Sequence, residues 1–536
     1  MPPSRLFRST AAAAAAATAA LALLLSGCSS GTTEPGGSGP ASPGRSTEAG
    51  SGRPASDGAP LAPLPTAVPA ALRPYYDQKL SWHDCGVAGF QCATMKAPLD
   101  YAHPSAATDL KLAVARKKAT GPGQRLGSLL VNPGGPGGSA IDYLQQYAPQ
   151  PAAVRARYDM VAMDPRGVAR SAPVECLTDR QMDRFTQTDT TPDDSAEVGK
   201  LATAYRDFAK GCEEHSGKIL PHVSTIEAAR DMDILRAVLG DRKLTYVGAS
   251  YGTFLGATYA GLFPSRSGRL VLDGAMDPSL DSRTINLDQT AGFNTAFTAF
   301  AADCVKKPDC PLGHKNPQDA GRQLSALFAK LDAHPVETGQ DRKLTESLAT
   351  TGVIAAMYDQ GAWPLLRQSL AQAENGNGRG LLALSDSYYE RDPSGHYANQ
   401  MYANAAVNCL DLPPSFTGPD QVRAALPAFR KASPVFGANF AWSALNCAYW
   451  PVKATGTVHR IEAKGADPIV VVGTTRDPAT PYTWAKGLAA QLSSATLLTY
   501  VGDGHTAYGR GSDCIDTAIN TFLLEGTPPA KNTRCT

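Results

Sequence analysis

The sequence lacks any concentration of charge of one sign. Its 50 Lys and Arg residues balance 49 Asp and Glu residues over 536 positions, which leaves a formal net charge of +1. Nucleic-acid binding needs clustered basic residues, so we expect no nucleic-acid partner. The sequence also contains no CxxC and no HExxH motif. We therefore expect neither a metal centre nor a cofactor.

Long hydrophobic runs are scarce as well. One run, Ala11 to Leu25, follows the basic residues Arg5 and Arg8, and it is short for a membrane span. It leads into the sequence LSGC, which ends at Cys28 and resembles a bacterial lipoprotein signal-peptidase box. The resemblance implies that residues 1–28 form a lipoprotein signal peptide region, with cleavage before Cys28 and a lipid attached to it. A plain secretory signal is the alternative reading.

Aromatic residues are absent between Phe7 and Tyr75. Within this region, residues 29–71 are rich in Gly, Pro, Ser, Thr and Ala, and such a segment buries too little apolar surface to offset its ordering entropy. We predict a flexible tether that joins Cys28 to the folded body. The expected location is the extracytoplasmic side of the cell membrane, held there by the lipid, with release from the cell as a further outcome.

The number of cysteines suggests how this chain is cross-linked. Eleven are present, and ten remain once Cys28 is set aside. An even number in an exported chain favours disulfide bonds, although sequence does not determine which cysteines pair. Nearest-neighbour pairing, the simplest choice, predicts Cys85–Cys92, Cys176–Cys212, Cys304–Cys310, Cys409–Cys447 and Cys514–Cys535.

Short apolar runs alternate with helix-like stretches through most of the remaining chain, which predicts a doubly wound, mostly parallel α/β sheet. The best helix signal is Ser224 to Leu239, where Glu227 follows Ser224 by three residues. The predicted buried strands are 126–132, 158–164, 244–247, 269–273, 469–473 and 495–501.

The alternation stops between Asp277 and about His459, where the sequence becomes mostly helical, as in 293–304 and 320–333. Because core strands flank this stretch on both sides, we interpret residues 277–459 as a helical cap inserted into a core made of residues 72–276 and 460–536. An independent helical domain is the alternative.

The strand at 244–247 leads into Gly248-Ala249-Ser250-Tyr251-Gly252, and a helix-compatible segment follows. A strand, a sharp turn and a helix form the nucleophile elbow of serine hydrolases, with glycines leaving room for the backbone. The helix N-terminus behind Ser250 can donate N–H groups to an oxyanion.

A serine nucleophile needs a base, and that base needs an acid to orient it. After Ser250 the last two predicted strands are followed by Asp477 and His505, in the chain order expected of such enzymes. His459 precedes a strand and so lies at the wrong end. Asp503 is the alternative acid, although it is very close to His505 in sequence.

A glycine-rich loop, residues 132–139 (NPGGPGGS), follows the first parallel strand. Such a loop can direct a backbone N–H at a scissile carbonyl oxygen. A phosphate-binding loop is excluded because the loop has neither a Lys nor the GxGxxG spacing.

Five segments together resemble exported actinobacterial tripeptidyl aminopeptidases, which are related to proline iminopeptidase within the α/β-hydrolase fold. They are NPGGPGGSA, DMVAMDPRGVARS, YVGASYGTFLG, TTRDPATPY and GDGHTAY. The resemblance extends from about Trp82 to Cys535. It implies Ser250 as nucleophile, Asp477 as orienting acid, His505 as general base, and the N–H groups of Gly135 and Tyr251 as oxyanion donors.

The same resemblance implies that Asp164 and Arg166 form a structural turn. Two residues depart from the family pattern, since Ala140 and Ala169 stand where glycine is usual. Neither departure affects a catalytic side chain, but both leave the loop shape, and with it the substrate preference, open.

The sequence therefore predicts a serine exopeptidase that acts on peptides with a free N-terminus. A cap carboxylate is then expected to bind the substrate ammonium, and the candidates are Asp359, Asp386, Glu390, Asp392 and Asp411. A carboxylesterase with the same triad is the alternative, because ester and peptide hydrolysis use the same catalytic groups. A lipid-anchored peptide-binding protein is a third hypothesis, which would need no triad.

Overall fold

A single sheet organises the part of the chain that the structure, a computed structural model, describes, residues 58–146 and 151–536. Its ten strands are β1 (His83–Asp84), β2 (Gln91–Ala97), β3 (Leu110–Lys117), β4 (Gly127–Asn132), β5 (Tyr158–Met163), β6 (Leu244–Ala249), β7 (Ser267–Asp273), β8 (Ile469–Arg476), β9 (Ala495–Asp503) and β10 (Arg534–Cys535). They lie in the order β1-β2-β3-β5-β4-β6-β7-β8-β9-β10. Strands β4 to β10 pair parallel with one another, whereas the pairs β1–β2, β2–β3 and β3–β5 are antiparallel. The predicted mostly parallel sheet is confirmed.

All six predicted strands exist, with ends that differ by a few residues. The strands β2 and β3 are not among those predicted, and they pair antiparallel over seven residues. In both strands buried and more exposed residues alternate for most of the length. A continuous apolar run indicates a strand that is buried on both faces, and the alternation in β2 and β3 leaves only the short run 112–115.

The described residues contain seventeen α-helices. They are α1 (Arg73–Tyr76), α2 (Ala140–Gln146), α3 (Ala152–Arg157), α4 (Asp179–Thr186), α5 (Ser195–Ser216), α6 (Thr225–Val238), α7 (Tyr251–Leu262), α8 (Ser282–Cys304), α9 (Pro317–Ala333), α10 (Glu346–Met357), α11 (Trp363–Glu374), α12 (Arg379–Tyr388), α13 (Gln400–Asp411), α14 (Pro419–Ala432), α15 (Gly437–Ser443), α16 (Tyr482–Gln491) and α17 (Asp513–Glu525). Among these helices of the described residues, none is long and apolar enough to cross a membrane.

Helix α6 begins where the sequence predicts. The Ser224 side chain accepts a hydrogen bond from the Glu227 N–H, and its hydroxyl donates to the Glu227 carboxylate at 3.0 Å. This cap satisfies one of the N–H groups that every helix start leaves free. Helices α6 and α7 then pack on the sheet through a cluster that contains Ile234, Leu255 and Tyr259.

The chain between β7 and β8 contains helices α8 to α15 and no strand longer than an isolated bridge. These helices have buried clusters of their own, one around Phe300, Leu324 and Leu348 and another around Phe416 and Phe429. We keep residues 277–459 as a proposed cap, and call this segment the helical insertion.

The beginning of the folded body differs from the sequence prediction. Residues 1–57, which include Cys28 and most of the proposed tether, lie outside the described residues. The predicted tether also includes residues 60–71, but the Leu61 N–H donates to the Arg460 carbonyl at 2.8 Å and the Leu64 N–H to the Leu262 carbonyl at 2.9 Å. Leu61, Leu64 and Val68 also pack against the main core. A few main-chain hydrogen bonds and three apolar side chains thus hold residues 60–71, a segment rich in Pro and Ala.

The described residues contain five disulfide bonds, and these join the pairs that nearest-neighbour pairing predicts. The bond Cys409–Cys447 connects the last turn of α13 to the segment after α15. Both ends of that bond therefore lie in the helical insertion.

Candidate active site

Ser250 lies between β6 and α7 in a strained backbone conformation, with φ 55° and ψ −125°. The Ser250 N–H donates to the Asp273 carbonyl at 2.9 Å, and the Ser250 carbonyl accepts from the Thr253 N–H at 2.8 Å. A non-glycine residue at positive φ costs free energy unless its surroundings hold it there. The turn therefore has the geometry of a nucleophile elbow.

Both glycines of the elbow are needed for space. A Cβ atom on Gly248 would lie 2.4 Å from the Gly252 carbonyl oxygen, and one on Gly252 would lie 2.8 Å from the Asn132 carbonyl oxygen. The glycines two residues before and two residues after Ser250 therefore allow β4, β6 and α7 to approach one another.

Asp477 and His505 are in direct contact. His505 Nδ1 lies 2.9 Å from Asp477 Oδ1 and 3.0 Å from Oδ2. The Asp477 carboxylate is buried and also accepts from the N–H groups of Ala479, Thr480 and Thr506, at 2.9, 2.8 and 3.2 Å. An acid held in this way can orient the imidazole and stabilise its protonated form.

The His505 ring is fixed on its other sides too. The Tyr358 ring contacts the imidazole edge-on, with ring centroids 5.4 Å apart. The backbone N–H of His505 donates to the backbone carbonyl of Tyr358 at 2.9 Å. Tyr358 directly follows α10, so the helical insertion contributes to the position of the predicted base.

The same loops bring His505 towards Ser250. A Cβ built on Gly274 would lie 3.2 Å from His505 Cε1, and the residue before Gly274 binds the Ser250 N–H. The hydrogen bonds of the described residues do not include one from Ser250 Oγ to His505. Catalytic hydrogen bonds of this kind often tighten only when substrate is bound.

Asp273, at the end of β7, is a functional residue that the sequence motifs did not identify. Its buried carboxylate accepts from the N–H groups of Ala507 and Tyr508 at 2.9–3.1 Å, while its carbonyl binds the Ser250 N–H. Burial raises the pKa of Asp273. Asp273 thus connects the loop after His505 to the elbow. The sequence feature that could have identified it is an acidic residue at the end of β7, the strand beside β6.

The glycine-rich loop lies against the elbow. Gly134, at φ +94°, is so close that an added Cβ would lie 2.8 Å from the Tyr251 backbone nitrogen. Gly135, Ser250 and Tyr251 line one cavity of about 400 Å³. The Tyr251 N–H is the first of α7 and has no acceptor within the helix. Gly135 and Tyr251 are therefore placed where oxyanion donors are needed, and their role stays a prediction.

The rejected alternatives occupy other positions. Asp503 forms an ion pair with Arg476 at 2.6 Å. The His459 Nδ1 atom lies 2.8 Å from the Thr457 carbonyl oxygen, and burial lowers the pKa of this imidazole. Neither residue is among those that line the Ser250 cavity.

The predicted structural turn is buried and densely bonded. Arg166 forms a bidentate pair with Asp231 at 2.7 and 2.8 Å and donates to three backbone carbonyls, while Asp164 accepts from Ser139 and from the Ile141 N–H. Ala169, one of the two departures from the family pattern, has φ 43°, a region that favours glycine. Its N–H donates to Asn399 at 2.8 Å.

The five candidate acids differ in whether they line the Ser250 cavity. Asp411 lines it; Glu390 lines a neighbouring cavity instead. Asp359 and Asp386 form ion pairs with Arg510 and Arg342, at 2.9 and 2.6 Å. Asp392 is exposed and accepts hydrogen bonds within its own turn, from Ser394 and His396. Only one of the five therefore faces the proposed site.

In the described residues, one carboxylate cluster has a spacing that could hold a metal ion: Asp189, Asp332 and Glu346. None of the three lines the Ser250 cavity, and Glu346 binds the Thr191 hydroxyl at 2.6 Å. The expectation of no metal and no cofactor stays a prediction.

Comparisons with known proteins identify the family of the chain. The chain is 38% identical to serine protease Hip1 of Mycobacterium tuberculosis over 484 residues, which cover 86% of this chain and 92% of that protein. It is 38% identical to carboxylesterase B of M. tuberculosis over 471 residues, with coverages of 85% and 89%. It is 32% identical to tripeptidyl aminopeptidase of Streptomyces lividans over 477 residues, with coverages of 85% and 86%. A family model described as TAP-like protein matches residues 433–535.

The chain belongs to the TAP-like family of α/β-hydrolases. This TAP-like protein is a serine hydrolase of the peptidase kind. The matched residues 433–535 include Asp477 and His505, and the elbow with Ser250 lies outside them.

Proposed function

We propose that this TAP-like protein is an exported serine exopeptidase that removes short peptides from a free N-terminus through an acyl-enzyme. The observation that carries the proposal is the cavity shared by Ser250 and the helical insertion. Ser250, Tyr251 and Gly135 line one side of it, and apolar residues of the insertion, such as Phe293 and Phe440, line the other. A site covered in this way suits the end of a peptide better than the middle of a folded chain.

Ser250 is proposed to attack the scissile carbonyl carbon while His505 accepts the hydroxyl proton at Nε2. Asp477 holds Nδ1 of the ring, so that the second nitrogen is free to act as the base. The negative charge that develops on the carbonyl oxygen is stabilised by the N–H groups of Gly135 and Tyr251.

Collapse of the tetrahedral intermediate breaks the C–N bond, and the His505 imidazolium donates its proton to the leaving amine. The N-terminal fragment remains esterified to Ser250. Water, deprotonated by His505, then attacks this ester and forms a second tetrahedral intermediate. Its collapse breaks the bond between the acyl carbon and Ser250 Oγ, and His505 returns the proton to that oxygen. The N-terminal fragment leaves with a new C-terminal carboxyl group, and Ser250 is restored. No step needs a metal or a cofactor.

Three chromogenic substrates test this proposal on the full-length protein purified in detergent: a tripeptide anilide with a free amine, its N-acetylated form and a short acyl ester. Cleavage of the free-amine tripeptide, with at least a tenfold loss on acetylation, supports an aminopeptidase. Indifference to acetylation, or hydrolysis of the ester alone, overturns it.

A carboxylesterase is the second candidate, because a relative with that name is as similar to this chain as the named serine protease is. The proposed catalytic groups serve both reactions, so only the substrate comparison separates the two. Ester hydrolysis without anilide cleavage would favour the carboxylesterase.

The Ser250→Ala variant distinguishes the proposed peptidase from the third hypothesis, a protein that binds peptides and catalyses no reaction. For the proposed peptidase the variant loses hydrolysis by a factor on the order of 10³ or more and still binds peptide. An unchanged rate would overturn the role of Ser250.

The proposed location depends on sequence features alone, since Cys28 lies outside the described residues. We propose a lipid on Cys28 that holds the protein on the extracytoplasmic side of the membrane. Cys28→Ala is expected to release the protein from the membrane fraction or to block its processing. A variant that is still anchored and processed normally contradicts the lipoprotein proposal.

A further inference from the structure

Asp411 is a carboxylic acid that lines the Ser250 cavity. It is the last residue of α13, and the cavity is also lined nearby in sequence by Asn408 and Leu412. The backbone around it is tightly held. The N–H groups of Thr455 and Gly456 donate to the Leu410 carbonyl, and a Cβ on Gly456 would lie 2.0 Å from the Asp411 carbonyl oxygen.

The Asp411 carboxylate is held by one residue of the hydrolase core. Its Oδ1 accepts from the Thr225 N–H at 2.9 Å, and its Oδ2 accepts from the Thr225 hydroxyl at 2.5 Å. The two oxygens of a carboxylate offer about four acceptor positions. Thr225 uses two of them, which leaves acceptor capacity for a ligand on the cavity side.

No cation of the described residues forms an ion pair with Asp411. The charged group that acts on it most is Glu227, another acid, and burial raises the pKa of Asp411 to about 7. A buried carboxylate without a counter-charge is costly, and a cation beside it removes much of that cost. Asp411 also terminates α13, and the C-terminal end of a helix favours positive charge.

A short chain of contacts connects this acid to the nucleophile. The Tyr251 hydroxyl lies 2.5 Å from the Thr225 hydroxyl, which in turn binds Asp411. Tyr251 directly follows Ser250 and supplies a proposed oxyanion donor. One tyrosine side chain and two hydrogen bonds therefore separate Asp411 from the elbow. A substrate that contacts both sites has to bridge this separation, and three extended peptide residues span roughly 10 Å.

We infer that Asp411 binds the N-terminal ammonium of the peptide substrate and thereby selects chains with a free N-terminus. The inference rests on the proposed aminopeptidase function and assigns its specificity to one carboxylate. The substrate ammonium provides the missing counter-charge. The distance between Asp411 and Ser250 then limits how many residues are removed.

Glu390 provides a matched control. Burial raises its pKa to about 7 as well, but it lines the neighbouring cavity, together with residues such as Asp142 and Tyr397. Glu390→Gln removes an acid of the same kind without altering the Ser250 cavity.

The test measures kcat/KM of the full-length wild type, Asp411→Asn and Glu390→Gln on two tripeptide anilides. One carries the N-terminal amine, and the other has hydrogen in its place, which removes the charge without adding bulk. Asp411→Asn preserves the shape: its carbonyl can accept from the Thr225 N–H, and its amide can donate to the Thr225 hydroxyl. A short acyl ester, which needs the triad but no ammonium, reports that each variant is folded.

We expect the wild type and Glu390→Gln to prefer the amine substrate by about 100-fold, the scale of a lost buried charge pair. Asp411→Asn should reduce this preference to within about threefold of unity while ester hydrolysis remains. If Asp411→Asn keeps the preference, the inference is wrong and the aminopeptidase proposal stands. If the wild type shows no preference, the aminopeptidase proposal itself fails. Asp411→Ala replaces the Asn variant if ester hydrolysis shows that the latter does not fold.

Discussion

Arg476 and Asp503 form a two-point ion pair between the last residues of β8 and β9, with Nε–Oδ1 and Nη2–Oδ2 distances of 2.6 Å. Asp477 and His505 follow these strands by one and two residues. The pair therefore fixes the relative position of the two loops that carry the proposed acid and base, and it occupies the carboxylate that was the alternative acid.

The first prediction separates the two acids. Asp477→Asn should lower kcat by a factor on the order of 10³–10⁴, because the amide cannot hold His505 in the required tautomer. Asp503→Asn should lower kcat by less than about tenfold, because it only loosens the strand ends. Both are measured with one chromogenic substrate at saturation. Equal losses in the two variants would contradict the assignment of Asp477.

The second prediction concerns Gly134. In Gly134→Ala the new Cβ would lie 2.5 Å from the Ala249 carbonyl oxygen, at a backbone φ of +94°, so the loop has to move. Displacement of the Gly135 N–H should lower kcat by about 100-fold or more, as the loss of an oxyanion donor does, with little change in KM.

Gly199→Ala is the control for this change. Gly199 is an exposed residue within α5, and an added Cβ meets no atom within 4 Å. Because alanine favours helix, this variant should be more stable by roughly 0.5–1 kcal/mol and fully active. An active Gly134→Ala enzyme would show that the loop does not supply the oxyanion donor.

The third prediction is a pH dependence of stability. Burial raises the pKa of Asp411 from its ordinary 3.8 to about 7 in the folded protein. For an acid with a raised folded pKa, the associated stability is fully present below the unfolded pKa and is lost as the pH rises through the folded pKa. Asparagine does not titrate. The free energy of unfolding of Asp411→Asn should therefore rise relative to the wild type between about pH 4 and pH 7.

Urea unfolding of both proteins at a series of pH values measures this difference. Apart from Glu227, whose charge acts on Asp411, the same groups titrate in both proteins, so the difference reports Asp411 together with its interaction with Glu227. A difference that stays constant from acid to neutral pH would mean that Asp411 ionises normally in the folded state.

The fourth prediction compares two disulfide bonds. Removal of Cys409–Cys447, which joins residues 38 apart, should lower the free energy of unfolding by roughly 3–4 kcal/mol, because the longer loop gains more entropy when unfolded. Removal of Cys304–Cys310, which joins residues 6 apart, should cost only about 2 kcal/mol. Denaturation of the two double Cys→Ala variants tests the order, and the opposite order would argue against a loop-entropy origin.

The parallel strands could be predicted because each is a short apolar run that ends at the same edge of the sheet. The strands β2 and β3 were not predicted, because their burial alternates for most of their length and polar or charged residues interrupt their apolar positions, apart from the short apolar run 112–115. Asp273 was visible as an acid at a strand end. Its role became clear only when its contacts with Ser250 and with the loop after His505 were known.

The sequence by itself determined the candidate catalytic groups. Local motifs place Ser250, Asp477 and His505 after parallel strands, and the carboxyl ends of such strands meet at one edge whatever lies between them. Only the tertiary structure decided which of the five candidate acids lines the Ser250 cavity. Asp411 and Thr225 are 186 residues apart, and they meet through the packing of the helical insertion on the core. Such packing depends on many distant side chains at once, so no local pattern distinguishes Asp411 from the four other candidate acids.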